Sequence, residues 1–144
     1  MTAKQPNFVE FPPKPESKRL LERTLAKAFH AAHLLTASLR QAEAAVLEAI
    51  DRFDPNRDTD ETLFRYALRA SVEAPAEHQE ESTPRLLPPE LQRVLNLARE
   101  FRHCFVLRIL VGMSMQACAE LLGFNVRSVE EYTCTAMQRL AGLD

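Results

Sequence analysis

The chain has 144 residues and a formal net charge of −2, and 46% of its residues are hydrophobic while 26% are charged. These values are typical of a soluble globular protein with one moderate domain or two small ones. No apolar run approaches the length of a membrane span, so we expect none. The sequence begins with polar, proline-rich residues and not with a basic-then-apolar leader, so we expect the protein in the cytoplasm.

Residues able to carry catalysis or to bind a metal are sparse. The cysteines Cys104, Cys118 and Cys134 are far apart and form no CxxC pair, so neither a zinc site nor a redox pair is predicted. His30 and His33 are three residues apart, but no third ligand lies nearby in the sequence. The sequence also lacks a glycine-rich phosphate loop and a nucleophile–base arrangement. We therefore expect no enzymatic activity, no metal and no cofactor.

The first predicted element is an extended arm over residues 1–16, which contains four of the nine prolines. Proline is not tolerated inside a helix, so the arm is not helical past Pro12. The arm also carries Phe8, Val9 and Phe11. Two interpretations stay open, because these side chains either dock on a partner or on the body of the protein, or belong to a loose tail.

Residues 17–73 are predicted to form a module of three helices. The first spans residues 17–39, the second spans residues 41–53, and the third follows a capping box made by Asp58 and Glu61. The inward-facing residues are expected to be Leu21, Leu25, Ala28, Ala32, Leu35 and Leu39, then Ala42, Ala45, Val46, Ala49, Ile50 and Phe53, and then Leu63, Phe64, Ala67 and Leu68.

Residues 74–85 are polar and acidic without an apolar period, so we predict a linker and a domain boundary there. Residues 86–144 form the second predicted module. A short helix begins at the prolines 88 and 89 and leads to an apolar stretch, residues 104–110, which we expect to be a helix buried on most of its surface.

Two glycines then divide the C-terminal region. Gly112 is predicted to end the apolar helix, and Ser114 to cap a short helix that Gly123 closes. Asn125 is predicted to cap a longer helix with one continuous inward face, made of Val129, Tyr132, Thr133, Ala136, Met137 and Leu140. This order is the helix-turn-helix pattern, whose second helix can enter a DNA major groove. An ordinary helical hairpin uses the same glycines to end its helices. The spacing alone therefore leaves two interpretations open, a DNA-binding helix-turn-helix and a helical hairpin.

A specific resemblance favours the first interpretation. Several segments in one register resemble the C-terminal module of bacterial extracytoplasmic-function (ECF) sigma factors: residues 97–108, Gly112-Met113-Ser114, residues 119–124, Ser128-Val129 and Arg139-Leu140. The resemblance implies an all-α protein with an N-terminal three-helix module and a C-terminal helix-turn-helix module. It also implies that promoter DNA is approached by Arg127, Ser128, Glu131, Thr135 and Arg139.

The N-terminal module resembles the same family more faintly, through Ala42-Glu43, residues 46–49 and residues 51–55. In the family this module binds RNA polymerase and opens the promoter. The resemblance therefore implies the RNA polymerase core as a partner, with an anti-sigma-like regulator as a further one. The only side chains here that could stack on an opened base beside a positive charge are Phe64 and Tyr66 with Arg65 and Arg69.

The charges near the predicted DNA-reading helix favour an alternative, in which the protein has lost DNA binding. From Gly112 to the end there are two basic residues and four acidic ones, and Glu130 and Glu131 stand at the start of that helix. Acidic side chains face phosphates unfavourably. Four upstream arginines either touch phosphates or form a solvated face: Arg93, Arg99, Arg102 and Arg108. Two hypotheses follow, a sigma-like transcription regulator that binds DNA and a degenerate sigma-like protein-interaction module that has lost DNA binding.

Overall fold

The computed structural model describes residues 15–76 and 87–142, and every regular element in these two ranges is a helix. The all-α prediction is therefore confirmed. The helices are α1 (Pro15–Thr36), α2 (Leu39–Arg52), α3 (Asp60–Glu73), α4 (Pro89–Leu95), α5 (Arg99–Phe105), a π-helix (Val106–Val111) that continues α5, α6 (Met115–Leu122) and α7 (Val126–Leu140). We call α1–α3 the N-terminal module and α4–α7 the C-terminal module.

The turn between α1 and α2 lies earlier than the sequence predicts. Ala37 has a left-handed backbone with φ of 58°, which ends α1 at Thr36. The Ser38 side chain then accepts a hydrogen bond from the Gln41 N–H and caps α2. Leu39, expected as the last residue of the first helix, is instead the first residue of α2.

The cap of α3 also differs from the prediction. Thr59, not Asp58, is the N-cap, and its reciprocal partner is Thr62, not Glu61. The Asp58 carboxylate instead accepts a hydrogen bond from the Asp54 N–H at 2.9 Å. A capping box with the predicted spacing is present. It starts one residue later than predicted, because the Asp58 carboxylate is hydrogen-bonded to the turn that precedes α3.

The apolar stretch before Gly112 contains a feature that helical spacing does not predict. Val106–Val111 is a π-helix, in which each turn holds an additional residue. The wider turn changes the direction of the side chains relative to an α-helix. Val106 and Leu107 are buried as expected, whereas Ile109 and Leu110 are 45% and 43% exposed, so the prediction of a mostly buried helix was wrong for these two residues.

The remaining predicted helix ends and helix caps of the C-terminal module are confirmed. Gly112 and Gly123 both have left-handed backbones, with φ of 87° and 75°, and end the π-helix and α6. The side chains of Ser114 and Asn125 accept hydrogen bonds from the first turns of α6 and α7. A short helix, a tight glycine turn and a longer helix therefore follow one another as the sequence predicts.

The hydrophobic core joins the two modules. Two clusters lie within the N-terminal module, whereas the largest combines residues of α1 and α3 with residues of α4–α7, among them Leu35, Leu68, Val94 and Leu107. The buried cysteines Cys104 and Cys118 belong to this shared cluster, and Cys134 is exposed. Ile50 and Met137, which were predicted to face inward, are 43% and 47% exposed and lie at the edges of their helical faces.

Some predictions fall on residues outside the described ranges. These are the extended arm apart from its last two residues, with Phe8, Val9 and Phe11, and most of the predicted acidic linker. The last two residues of the predicted arm, Pro15 and Glu16, are instead part of α1, so the prediction of an extended chain was wrong for them, because proline is tolerated in the first turn of a helix. The boundaries of the four predicted segments stay predictions. In the described part of the chain, no helix has the length and apolarity that crossing a membrane needs.

Candidate nucleic-acid interface

The outer face of α7 holds three of the five predicted DNA-contacting residues. Arg127, Glu131 and Thr135 line one shallow surface of this helix, together with Glu130, Cys134 and Gln138. Arg127 is the only basic member of this set. The surface therefore offers one positive charge against two negative ones, a poor match to a phosphate backbone.

The single positive charge on this surface already has a partner. The Arg127 Nε lies 3.2 Å from a carboxylate oxygen of Glu131, one turn further along α7. Both side chains are exposed, at 86% and 62%, so the pair is screened by water and contributes about 0.3–0.5 kcal/mol. The pair is therefore weak, and Arg127 can leave it for a stronger ligand.

The other two predicted residues lie away from this surface. Ser128 is half-buried, and its N–H donates to the Asn125 side chain at 2.7 Å. The Arg139 guanidinium stacks on the Phe101 ring, with its central carbon 4.6 Å from the ring centroid. Tyr132 packs edge-on against both Phe101 and Phe124, and this aromatic group holds α7 against α5. Arg139 thus contributes to packing in this structure.

Three of the four upstream arginines donate hydrogen bonds to backbone carbonyls of the chain. The Arg99 guanidinium donates to the carbonyl oxygens of Val72 and Ala74, at 3.0 and 2.7 Å. Arg102 donates to the carbonyl oxygens of Leu35 and Leu97, at 3.2 and 2.9 Å. Apart from the Arg102–Leu97 bond, these bonds connect residues that are far apart in sequence.

Arg108 donates to the Met113 carbonyl across the Gly112 turn. The interpretation of a solvated face was therefore wrong for Arg99, Arg102 and Arg108, because helix ends and a turn supply carbonyl acceptors that the sequence pattern does not reveal. Their contact with phosphates stays a prediction.

His103 is a buried polar residue that the sequence did not single out. It is 5% exposed, and its Nε2 lies 3.0 Å from the Leu35 carbonyl oxygen, which also accepts from Arg102. Burial, together with the positive charges of Arg102 and Arg99, lowers the pKa of His103 to about 4. The neutral ring therefore donates its one N–H from Nε2 to the carbonyl.

The candidate base-stacking residues of α3 also have partners within the chain. Arg65 pairs with Glu61 at 3.0 Å, and Arg69 pairs with Glu73 at 3.8 Å. Phe64 is half-buried and packs against two of the core clusters. A cleft of about 990 Å³ separates this part of α3 from the Gly112 turn and α6.

One apolar surface of the N-terminal module is exposed in the described part of the chain. Leu47 and Ile50 on α2 are 57% and 43% exposed. Exposed acidic side chains stand beside them on the same helix, at Glu43, Glu48 and Asp51. Together these residues form a small exposed apolar surface with an acidic rim.

The cap of α7 gives the first testable prediction. We expect Asn125→Ala to lower the free energy of unfolding by about 1 kcal/mol, because the substitution removes the acceptor of the Ser128 N–H. Urea unfolding followed by far-UV circular dichroism measures this change. The exposed Gln138 on the same helix is the control, and Gln138→Ala should stay within about 0.5 kcal/mol of the wild type. Equal stability of both variants would contradict the assigned cap.

The fold and the surfaces described above define a two-module all-α protein with paired C-terminal helices around a glycine turn. No protein-family model and no curated protein matches the chain. A solved structure does: the sigma factor RpoE in complex with the anti-sigma factor NepR, from Bartonella quintana. The TM-score is 0.58 at 18% sequence identity, over 89% of this chain and 96% of that one. The chain therefore shares its fold with this sigma factor.

Proposed function

We propose that the protein is a sigma-factor-like transcription regulator, without enzymatic activity, that acts in the cytoplasm by binding other proteins. The observation that carries this proposal is the location of the positive charges in the C-terminal module. Arg99, Arg102 and Arg108 bind carbonyl groups inside the fold, and the exposed face of α7 carries more acid than base. The chain shares the fold of a sigma factor, whereas three of its four upstream arginines are bonded within the fold and so contribute less positive charge to a DNA-facing surface.

The first proposed partner is the RNA polymerase core. The resemblance of residues 42–55 to the polymerase-binding module of ECF sigma factors supports it, and so does the exposed pair Leu47 and Ile50 within that segment. An apolar center with a charged rim is the usual anatomy of a protein interface. An anti-sigma-like regulator is the second proposed partner, since the similar sigma factor was solved with an anti-sigma factor.

The polymerase proposal is tested by the affinity of the full chain for purified bacterial RNA polymerase core enzyme, measured by biolayer interferometry. We expect the double variant Leu47→Glu/Ile50→Glu to weaken binding by at least about tenfold, because it places charge at the center of the interface. Leu20→Glu is the matched control, since Leu20 is equally exposed but lies on α1. A wild-type chain that does not bind the core, or a double variant that binds like the control, would contradict the proposal.

A second candidate function is promoter binding by the C-terminal module. Arg127 favours it, because this side chain is 86% exposed in the first turn of α7, where helix-turn-helix proteins place their base contacts. Ser128, Glu131, Thr135 and Arg139 complete the proposed contact set. A glutamate can accept a hydrogen bond from a cytosine amino group, so Glu131 is compatible with a sequence-specific reader.

A further inference from the structure

The chain that precedes α1 carries large apolar side chains for which the proposed function has no role. Residues 1–14 lie before the described part of the chain, and they include Phe8, Val9 and Phe11. The same residues hold two lysines and one glutamate, so their side chains carry one more positive than negative charge. We call residues 1–14 the N-terminal segment. A surface that binds it has to be apolar, small and negatively charged at its rim.

The exposed surface of α2 has these three properties. Leu47 and Ile50 are one turn apart and are 57% and 43% exposed. Exposed acidic side chains surround them on the same helix, at Glu43, Glu48 and Asp51. The guanidinium of Arg52 lies over the Tyr66 ring, 5.3 Å from the centroid, and so is turned toward α3. The rim of the apolar pair is therefore mainly negative.

The N-terminal segment is long enough to reach this surface from the start of α1. Leu25 packs in the same small cluster as Ala49, the residue next to Ile50. Leu25 lies about 15 Å along α1 from Pro15, and packed helix axes are about 8–10 Å apart. Seven extended residues, as between Phe8 and Pro15, span up to about 23 Å. The aromatic side chains of the segment can therefore reach Ile50.

Two other surfaces lie within reach of the segment, but their charges suit it less well. Leu20 on α1 is 53% exposed, and its neighbours in sequence are the basic residues Lys18, Arg19 and Arg23. These charges repel the lysines of the segment. The cleft between α3 and α6 is lined by charges of both signs, from Lys27, Arg65, Arg69, Asp60, Glu61 and Glu120. Charge complementarity therefore favours α2.

We propose that the N-terminal segment folds back on α2 and covers Leu47 and Ile50 with the side chains of Phe8 and Phe11. A short tether raises the effective concentration of the segment to the order of millimolar. A contact too small to hold a separate protein can therefore hold a segment of the same chain. The segment then competes with any protein that binds this surface. Only the competition with RNA polymerase rests on the proposed function.

The absence of tryptophan from the sequence makes the docking directly measurable. Phe8→Trp in the full chain introduces a single indole and keeps an aromatic side chain at this position. We expect its fluorescence emission at a shorter wavelength than that of a free tryptophan peptide, with weaker quenching by acrylamide, because the indole is buried against α2. Both values should be independent of protein concentration, because the contact lies within one chain.

Variants of α2 in the Phe8→Trp chain locate the contact. We expect Leu47→Glu/Ile50→Glu to shift the emission to the wavelength of the free peptide and to restore full quenching by acrylamide. Leu20→Glu is the matched control, because it places the same charge at an equally exposed leucine of α1 and should leave the emission unchanged. Helix content by circular dichroism should be the same in all of these chains.

A second variant keeps the apolar pair intact. Glu43→Lys/Asp51→Lys reverses the charge of the rim and should shift the emission part of the way toward that of the free peptide. Emission of a fully exposed indole in the folded Phe8→Trp chain would overturn the proposal. Buried emission that both α2 variants leave unchanged, that Leu20→Glu abolishes, or that depends on protein concentration would also overturn it. None of these measurements involves RNA polymerase, so their failure would leave the proposed function standing.

Discussion

Leu35→Ala is expected to lower the free energy of unfolding by about 2–5 kcal/mol. Leu35 is fully buried in the cluster that both modules share. Removal of its side chain leaves a cavity between α1 and the C-terminal module, and the loss includes both the transfer free energy and the contacts around that cavity. Urea unfolding of the full chain, followed by far-UV circular dichroism, measures the effect.

Leu47→Ala is the matched control for this substitution, because Leu47 is the same residue type in a helix of the same module but is 57% exposed. We expect it to change the stability by no more than about 0.5 kcal/mol. If Leu35→Ala were as mild as Leu47→Ala, the two modules would not share a core in solution.

The second large effect concerns pH. His103 has a folded pKa of about 4, below the value of 6.5 that applies to an unperturbed histidine. The folded state therefore favours the neutral ring, and its contribution to stability is fully present above pH 6.5. We expect this contribution to be lost progressively as the pH falls from 6.5 toward 4. At about 1.4 kcal/mol per pH unit, the loss approaches about 3 kcal/mol.

His103→Gln isolates this contribution from other titrating groups, including His33, whose pKa is also lowered by burial. A glutamine amide can donate to the Leu35 carbonyl but does not titrate. The difference in unfolding free energy between wild type and variant should shrink or reverse between pH 7 and pH 4. A difference that is the same at both pH values would contradict a buried neutral His103.

Local signals in the sequence predicted much of the fold. The glycines at 112 and 123 and the caps Ser114 and Asn125 act through their own backbone or nearest turn, so their effect can be inferred from a few adjacent residues. The π-helix was not predictable in the same way. The exposure of Ile109 depends on a change of helical period that no residue type in that stretch requires.

The candidate site was predicted less completely because its key contacts are long-range. Arg102 and the Leu35 carbonyl are 67 residues apart, and a backbone carbonyl leaves no mark in a sequence pattern. Arg99 and Arg102 therefore resembled surface charge, and nothing in the sequence singled out His103. The pairing of Arg127 with Glu131 follows the spacing of four residues that favours ion pairs on a helix, and that signal was present in the sequence.

In the proposed function the protein acts through protein partners and not through its α7 surface on DNA. This is tested by fluorescence anisotropy of a labelled generic duplex with the full chain, over a series from low to moderate salt. We expect no measurable binding even at low salt, and we expect Glu130→Lys/Glu131→Lys to bind in a salt-dependent way because it reverses the charge of the exposed surface. Wild-type affinity that falls log-linearly with salt and weakens by about 1–3 kcal/mol in Arg127→Ala would contradict the claim.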